Sequence, residues 1–358
     1  MEDLIRQAAE KSISERTFPG CVVGIVRKNG SRSVLPFGRF TYEKDAPVVE
    51  EHTLYDTASI TKSIPTASLA LQLIDEGKLR TTDRLIDYVP EFNNSDREQI
   101  LIRHLLTYTL DGYGFASSLD DGRGLAAFQD GAGEKLLQLL LTRDFERRPG
   151  TVFRYTNIPA ALLGLVIERI CGETLDELAA SHFFKPLGMN HSTFYPEKHS
   201  IEEIPPTEID SWRGEIRGIV HDESAWLAKK DDKIFGHAGL FSTASDILTF
   251  MEMLLNGGEL KGEKFFSEEI LAQMETNQIP ELNDSTGLGW ELNQPRFMGK
   301  YCTPKTFGKT GFTGTACVID RSKETAYVIL SNRTYPQRSQ DSTAINAFRA
   351  AIGEIVFS

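Results

Sequence analysis

A chain of 358 residues exceeds the usual size of one compact core, so two domains or one large two-lobed catalytic unit are expected. Its net charge of −12 works against a phosphate-binding surface and argues against a nucleic-acid partner, and no stretch approaches 18 uninterrupted apolar residues, so no membrane-spanning helix is expected. With 40% hydrophobic and 25% charged residues and no low-complexity tract, the chain should fold throughout.

The first residues, Met1-Glu2-Asp3-Leu4-Ile5, carry early acids and no apolar leader core, so a cytoplasmic protein is expected unless a leader has been trimmed. Leu4, Ile5, Ala8, Ala9 and Ile13 recur at helical intervals until Pro19-Gly20 breaks the pattern. Cys21 to Val26 then reads as a buried strand, Lys28-Asn29-Gly30-Ser31 as a turn, and Ser33 to Gly38 as its antiparallel return. Ser59 to Glu76 is apolar at helical spacing and is closed by Gly77, which predicts one long helix, kinked at Pro65.

From about residue 80 to 280 the pattern is mainly helical, with segments at 100–106, 134–141, 158–171, 175–184 and 244–255. Strand character returns at 287–292, 315–320 and 325–331, and 344–356 closes as a helix. The expected fold is therefore α/β of the α+β type. One mixed, mainly antiparallel sheet comes from both termini, with 1–80 plus 281–358 as an α/β lobe and 81–280 as a mainly helical inserted lobe, and a cleft between them. Cys21, Cys171, Cys302 and Cys317 are widely spaced and lack any C-x-x-C, so reduced thiols are expected and no zinc site or disulfide framework.

Ser59 and Lys62 lie three apart at the start of the predicted helix, which puts hydroxyl and amine on one side as a nucleophile and its base. With 24 serines and 17 lysines in the chain, chance alone supplies roughly one S-x-x-K. Two later triplets change that weight: Tyr155-Thr156-Asn157 before a helix, and Lys309-Thr310-Gly311 entering a C-terminal strand. By composition the three together, in this order, arise by chance in roughly half a per cent of such chains.

S-x-x-K, Y-x-N and K-T-G in this order resemble the class C β-lactamase and penicillin-binding-protein-like serine hydrolase family, which includes esterases and D-amino-acid peptidases. Lys78 to Phe92, Ile102 to Thr107 and Gly239 to Ala244 resemble its other segments, so the likeness covers nearly the whole chain. The resemblance implies a β-lactamase/transpeptidase-like fold and a serine acyl hydrolase that needs no cofactor or metal. Ser59 would attack a carbonyl while Lys62 and Tyr155 share the proton, and the Lys309 ammonium would favour an ionised phenol. Asn157 would hold Lys62 and the substrate amide. Lys309, Thr310 and Gly311 would bind substrate, with Gly311 allowing close approach to the acyl group. The backbone N–H groups of Ser59 and Phe312 would form the oxyanion hole.

Other readings weigh less. For each residue alone, a helix-terminal serine, a solvated lysine and a core tyrosine would be ordinary. A phosphate-binding loop at Gly308-Lys309-Thr310 fails, because its first glycine would fall on Thr303. Glu252 imitates a deacylating glutamate but lies inside a predicted helix, and a solvated side chain is expected. His221, Asp222, Glu223 and His237 make no H-E-x-x-H motif, and structural roles are expected, with His237 lining the pocket through its likeness to a family segment. No G-x-S-x-G is present. The substrate is thus expected to be a small ester, amide or peptide, such as a D-amino-acid peptide or muropeptide. The alternatives are a penicillin-binding or sensing protein that acylates without efficient turnover, and a carboxylesterase with weak β-lactamase activity.

Overall fold

The computed structural model describes residues 1–92, 97–111, 131–142, 145 and 147–358. In chain order the elements used below are α1 (Glu2–Ser14), β1 (Gly20–Arg27), β2 (Arg32–Gly38), α2 (Ser68–Asp75), α3 (Ile158–Cys171), α4 (Ala244–Leu255), β3 (Glu291–Leu292), β4 (Phe307–Thr310), β5 (Ala316–Asp320), β6 (Thr325–Ser331) and α5 (Thr343–Phe357).

The strands form one sheet in the order β2-β1-β6-β5-β4-β3. All five pairings are antiparallel, so the mixed character expected from the sequence is absent from this sheet. N-terminal and C-terminal strands meet where Cys21 pairs with Ser331 and Arg27 with Thr325. The central strands read as unbroken apolar runs because both faces are covered. Alternation sends Cys21, Val23, Ile25, Val318, Tyr327 and Ile329 toward α1 and α5. Val22, Val26, Cys317, Ile319, Val328 and Leu330 point the other way, into a core shared with α4 and the helical region. A Cβ added to Gly24 would stand 2.9 Å from Leu248 Cδ1, so the glycine lets α4 lie close against the sheet.

The long helix expected from Ser59 to Glu76 is divided. Ala58–Lys62 is a tight 3₁₀ turn, Ile64 leaves helical geometry (φ −119°, ψ 107°), and α2 begins only at Ser68. The residue before a proline is driven toward extended backbone, and Pro65 brings no amide donor to bridge the break. Gly77, at φ 72°, ends the segment as expected. Among the described residues no helix is long and apolar enough to cross a membrane.

Candidate active site

The 3₁₀ turn eclipses side chains three apart, and it places Lys62 Nζ 2.8 Å from Ser59 Oγ. The turn is entered through Ala58 at φ 49°, a left-handed conformation disfavoured for a residue with a Cβ. Lys62 is buried, and its Nζ donates to the His237 carbonyl at 2.8 Å. Burial, and then the nearby Lys309 ammonium, lower its pKa to about 7, against the opposing pull of Asp222 and Glu291. An amine half neutral near pH 7 beside a serine hydroxyl can take the hydroxyl proton.

Tyr155 arrives just ahead of α3. It is 42% exposed along the cleft, and its hydroxyl interacts with Ser59. Lys309, on β4, is 0% exposed. Its ammonium lies 4.1 Å from the Tyr155 ring centroid, 4.5 Å from that of Tyr108, and 3.3 Å from Glu291 Oε1. Arg296 binds the second oxygen of Glu291 at 2.6 Å.

This cage corrects two expectations. Lys309 touches the face of the Tyr155 ring, with Glu291 as its counter-ion, so it does not draw out a phenolate. Although the residue is 42% exposed, crowding that strips water from its hydroxyl comes first, and then Glu291 and Asp222, in pushing the Tyr155 phenol up, and the Ser59 hydrogen bond only partly opposes them. Nor does Lys309 present its ammonium to a substrate, because Tyr108, Tyr155 and Glu291 enclose it. Thr310, half-buried, is the neighbouring side chain nearer the surface.

Asn157 Nδ2 donates to Asp222 Oδ2 at 3.2 Å, and no Asn157–Lys62 hydrogen bond exists among the described residues, so the expected grip on Lys62 falls to the His237 carbonyl. An acceptor-only carboxylate against the Asn157 amino group turns its Oδ1 away from Asp222. The His237 ring is fully buried, with Nε2 3.0 Å from both Asp222 Oδ1 and Ser224 Oγ, so the pocket meets its backbone carbonyl and not its imidazole. Burial would raise the Asp222 carboxyl, but His237, Ser224 and the Ala225 N–H together hold it well below the usual carboxylate range.

Glu223 pairs with Arg213 and Arg338. His221 packs its ring 5.8 Å from that of Phe312, and burial followed by Arg338 and Arg213 lowers its pKa to about 3. Among the described residues no three His, Cys, Asp or Glu side chains gather as metal ligands. Glu252 lies outside this constellation, paired with Arg32.

Gly311 serves the wall of the site, not the approach of an acyl group. A Cβ there would stand 2.0 Å from Thr315 Oγ1 and 2.4 Å from the Thr57 carbonyl, so the glycine lets the end of β4 abut the nucleophile turn. Thr313 Oγ1 donates to the Asp56 carbonyl and Thr315 Oγ1 to that of Thr57, both at 2.9 Å, which stitch the two segments together. Among the described residues the amides of Ser59 and Phe312 find no protein acceptor, and these are the two donors assigned to the oxyanion hole.

Sequence reasoning missed Glu291, Tyr108 and Asp56, and it singled out Asp222 without seeing its contact with Asn157. Glu291 breaks an apolar strand run, and Asp56 follows Leu54-Tyr55 in another buried stretch. A lone acid in an apolar run was the available signal.

The sequence profile of the Beta-lactamase family matches residues 1–352. A protein of Escherichia coli (strain K12) named "Putative D-alanyl-D-alanine carboxypeptidase" is 30% identical over 324 residues, covering 83% of this chain and 73% of that one. Among solved structures, EstCE1, a hydrolase with promiscuous acyltransferase activity, superposes with a TM-score of 0.78 at 21% identity over 100% of this chain and 98% of its own. The octameric penicillin-binding protein homologue from Pyrococcus abyssi gives 0.73 at 24% identity, over 98% and 77%. With the profile spanning almost its full length and the fold shared by both structures, the chain belongs to the Beta-lactamase family of serine acyl hydrolases.

Proposed function

We propose that this hydrolase acylates Ser59 with a carboxylate-bearing amide, a peptide ending in a D-amino acid being the leading class, and releases the acyl group to water. The observation that carries the reading is Lys62 Nζ, 2.8 Å from Ser59 Oγ, with its pKa lowered to about 7. In this reading Ser59 attacks the carbonyl and Lys62 takes its proton. Tyr155 remains a neutral phenol that donates to the departing amine and is recharged from Lys62. The Ser59 and Phe312 amides meet the developing oxyanion. The same Lys62–Tyr155 pair then activates the deacylating water.

The preference for an anionic substrate rests on Arg296, whose guanidinium is half-exposed beside Glu291, while the enclosed Lys309 makes no direct contact with substrate. The name of the Escherichia coli relative points to the same class. Purified protein offered D-alanyl peptides, muropeptides and short-chain esters should turn over the first two fastest. Faster ester hydrolysis would overturn the substrate assignment, and stable penicillin labelling without any turnover would favour a binding or sensing protein.

A further inference from the structure

Asp56 lies three residues before the nucleophile and is 2% exposed. Its two carboxylate oxygens each accept one backbone amide: Oδ1 from Ala58 at 2.8 Å and Oδ2 from His221 at 2.8 Å. Its own carbonyl accepts the Thr313 hydroxyl at 2.9 Å, and its backbone pairs with Phe241. The buried carboxylate thus joins the nucleophile turn to the 217–222 loop that leads to Asp222, and the backbone carbonyl ties in the segment after β4. The bond to Ala58 closes the residue held at φ 49°, a conformation that costs free energy and persists only when its surroundings enforce it.

We infer that Asp56 is a positioning residue for Ser59: its carboxylate holds the left-handed turn at Ala58, which aims the Ser59 hydroxyl at Lys62 and the Ser59 amide toward the oxyanion. The inference rests on the assignment of Ser59 as nucleophile.

Protonation should release this brace, because a carboxylic acid cannot accept both amides equally well. Burial raises the Asp56 pKa to about 6, and Asp222 adds to the rise; the two amide hydrogen bonds and Arg213 oppose it. The other charged and titratable groups facing it are Arg213, and His221 and Asp222 from the loop; the last two keep fixed charge states in this range, since the His221 pKa lies near 3 and the Asp222 carboxyl is held low. The active form then requires both a neutral Lys62 and an ionised Asp56.

The test is the pH dependence of Ser59 phosphonylation by a fluorophosphonate in wild type and Asp56→Asn, with Ser59→Ala as control. In wild type the logarithm of the rate should fall with a slope near one just below pH 7 and a slope approaching two below about pH 6. Asp56→Asn, which must set its amino group against one of the two amides, should lose about 10- to 100-fold in rate with KM for a turned-over substrate unchanged, and its acid limb should keep a slope of one. A wild-type slope of one throughout, or an Asp56→Asn variant as fast as wild type, would overturn the inference while leaving Ser59 as nucleophile. No labelling of wild type, or equal labelling of Ser59→Ala, would instead bring down the assignment of Ser59. Should Asp56→Asn not fold, Asp56→Glu keeps the carboxylate and should retain a two-step acid limb with its lower step displaced, and a limb identical to wild type would overturn the inference.

Discussion

The two sides of the molecule obey different rules. The sheet face against α1 and α5 is packed with Val23, Ile25, Val318, Tyr327, Ile329, Phe348 and Ile352, with Phe18 and Phe348 meeting edge to face at 4.8 Å. The cleft side buries Lys62, Lys309, Glu291, Asp56 and the His221 and His237 rings. The first arrangement lowers free energy through apolar burial. The second is costly in isolation, since each charge leaves water, and it holds only because every charge has a partner or shifts its pKa. The contrast separates the part of the chain that keeps the fold from the part that spends stability on chemistry.

Substitutions can break or sharpen this division. The largest effect on activity is expected of Ser59→Ala, which should abolish acylation, a loss of roughly 10⁴-fold or more in kcat with an unchanged melting temperature. Next comes Tyr155→Phe, which removes a neutral donor and should lower kcat by about 10²- to 10³-fold. Gly311→Ala drives a Cβ into the Thr57 carbonyl and the Thr315 hydroxyl, and should lower kcat by about 10²-fold through displacement of the nucleophile turn. Steady-state kinetics with one amide substrate checks all three.

Lys62→Met sharpens the comparison from the stability side. Because the folded lysine has a pKa of about 7 against 10.5 for an ordinary one, the unfolded chain binds more protons between those values. The lysine's cost to stability is therefore full below about pH 7 and fades as pH rises toward 10.5. The inactive variant should be more stable than wild type by roughly 2 kcal/mol at neutral pH, after allowance for the two lost hydrogen bonds, and denaturant melts at two pH values would show the gap closing. Phe348→Ala, on the other face, should cost about 3–5 kcal/mol of stability while leaving KM and kcat unaltered. A large loss of kcat there would show that the two faces are coupled.

The same division explains what could be read in advance. Cys21–Val26, Thr325–Ser331 and the closing helix were legible because apolar periodicity records burial directly. The S-x-x-K turn, Y-x-N and K-T-G were legible because their spacing is local or their order is improbable. The role of Lys309 was not, since its enclosure by Tyr108, Tyr155 and Glu291 comes from three separate segments. The Asp56 brace spans 165 residues to His221, and a sequence shows two unrelated positions there. Pro65 was visible as an anomaly, but its effect required the backbone: it ends a 3₁₀ turn that is short enough to keep Ser59 and Lys62 eclipsed.

The central claim is that a buried Lys62, half neutral near pH 7, is the base that activates Ser59. Fluorophosphonate labelling of Ser59, followed from about pH 5 to about pH 11 in wild-type protein, tests it most directly. The account predicts an acid limb with its upper inflection at about 7 and a plateau above it. A rate that keeps climbing to an inflection near 10 or beyond would assign the proton to an ordinary lysine or to the Tyr155 phenol, and would contradict it.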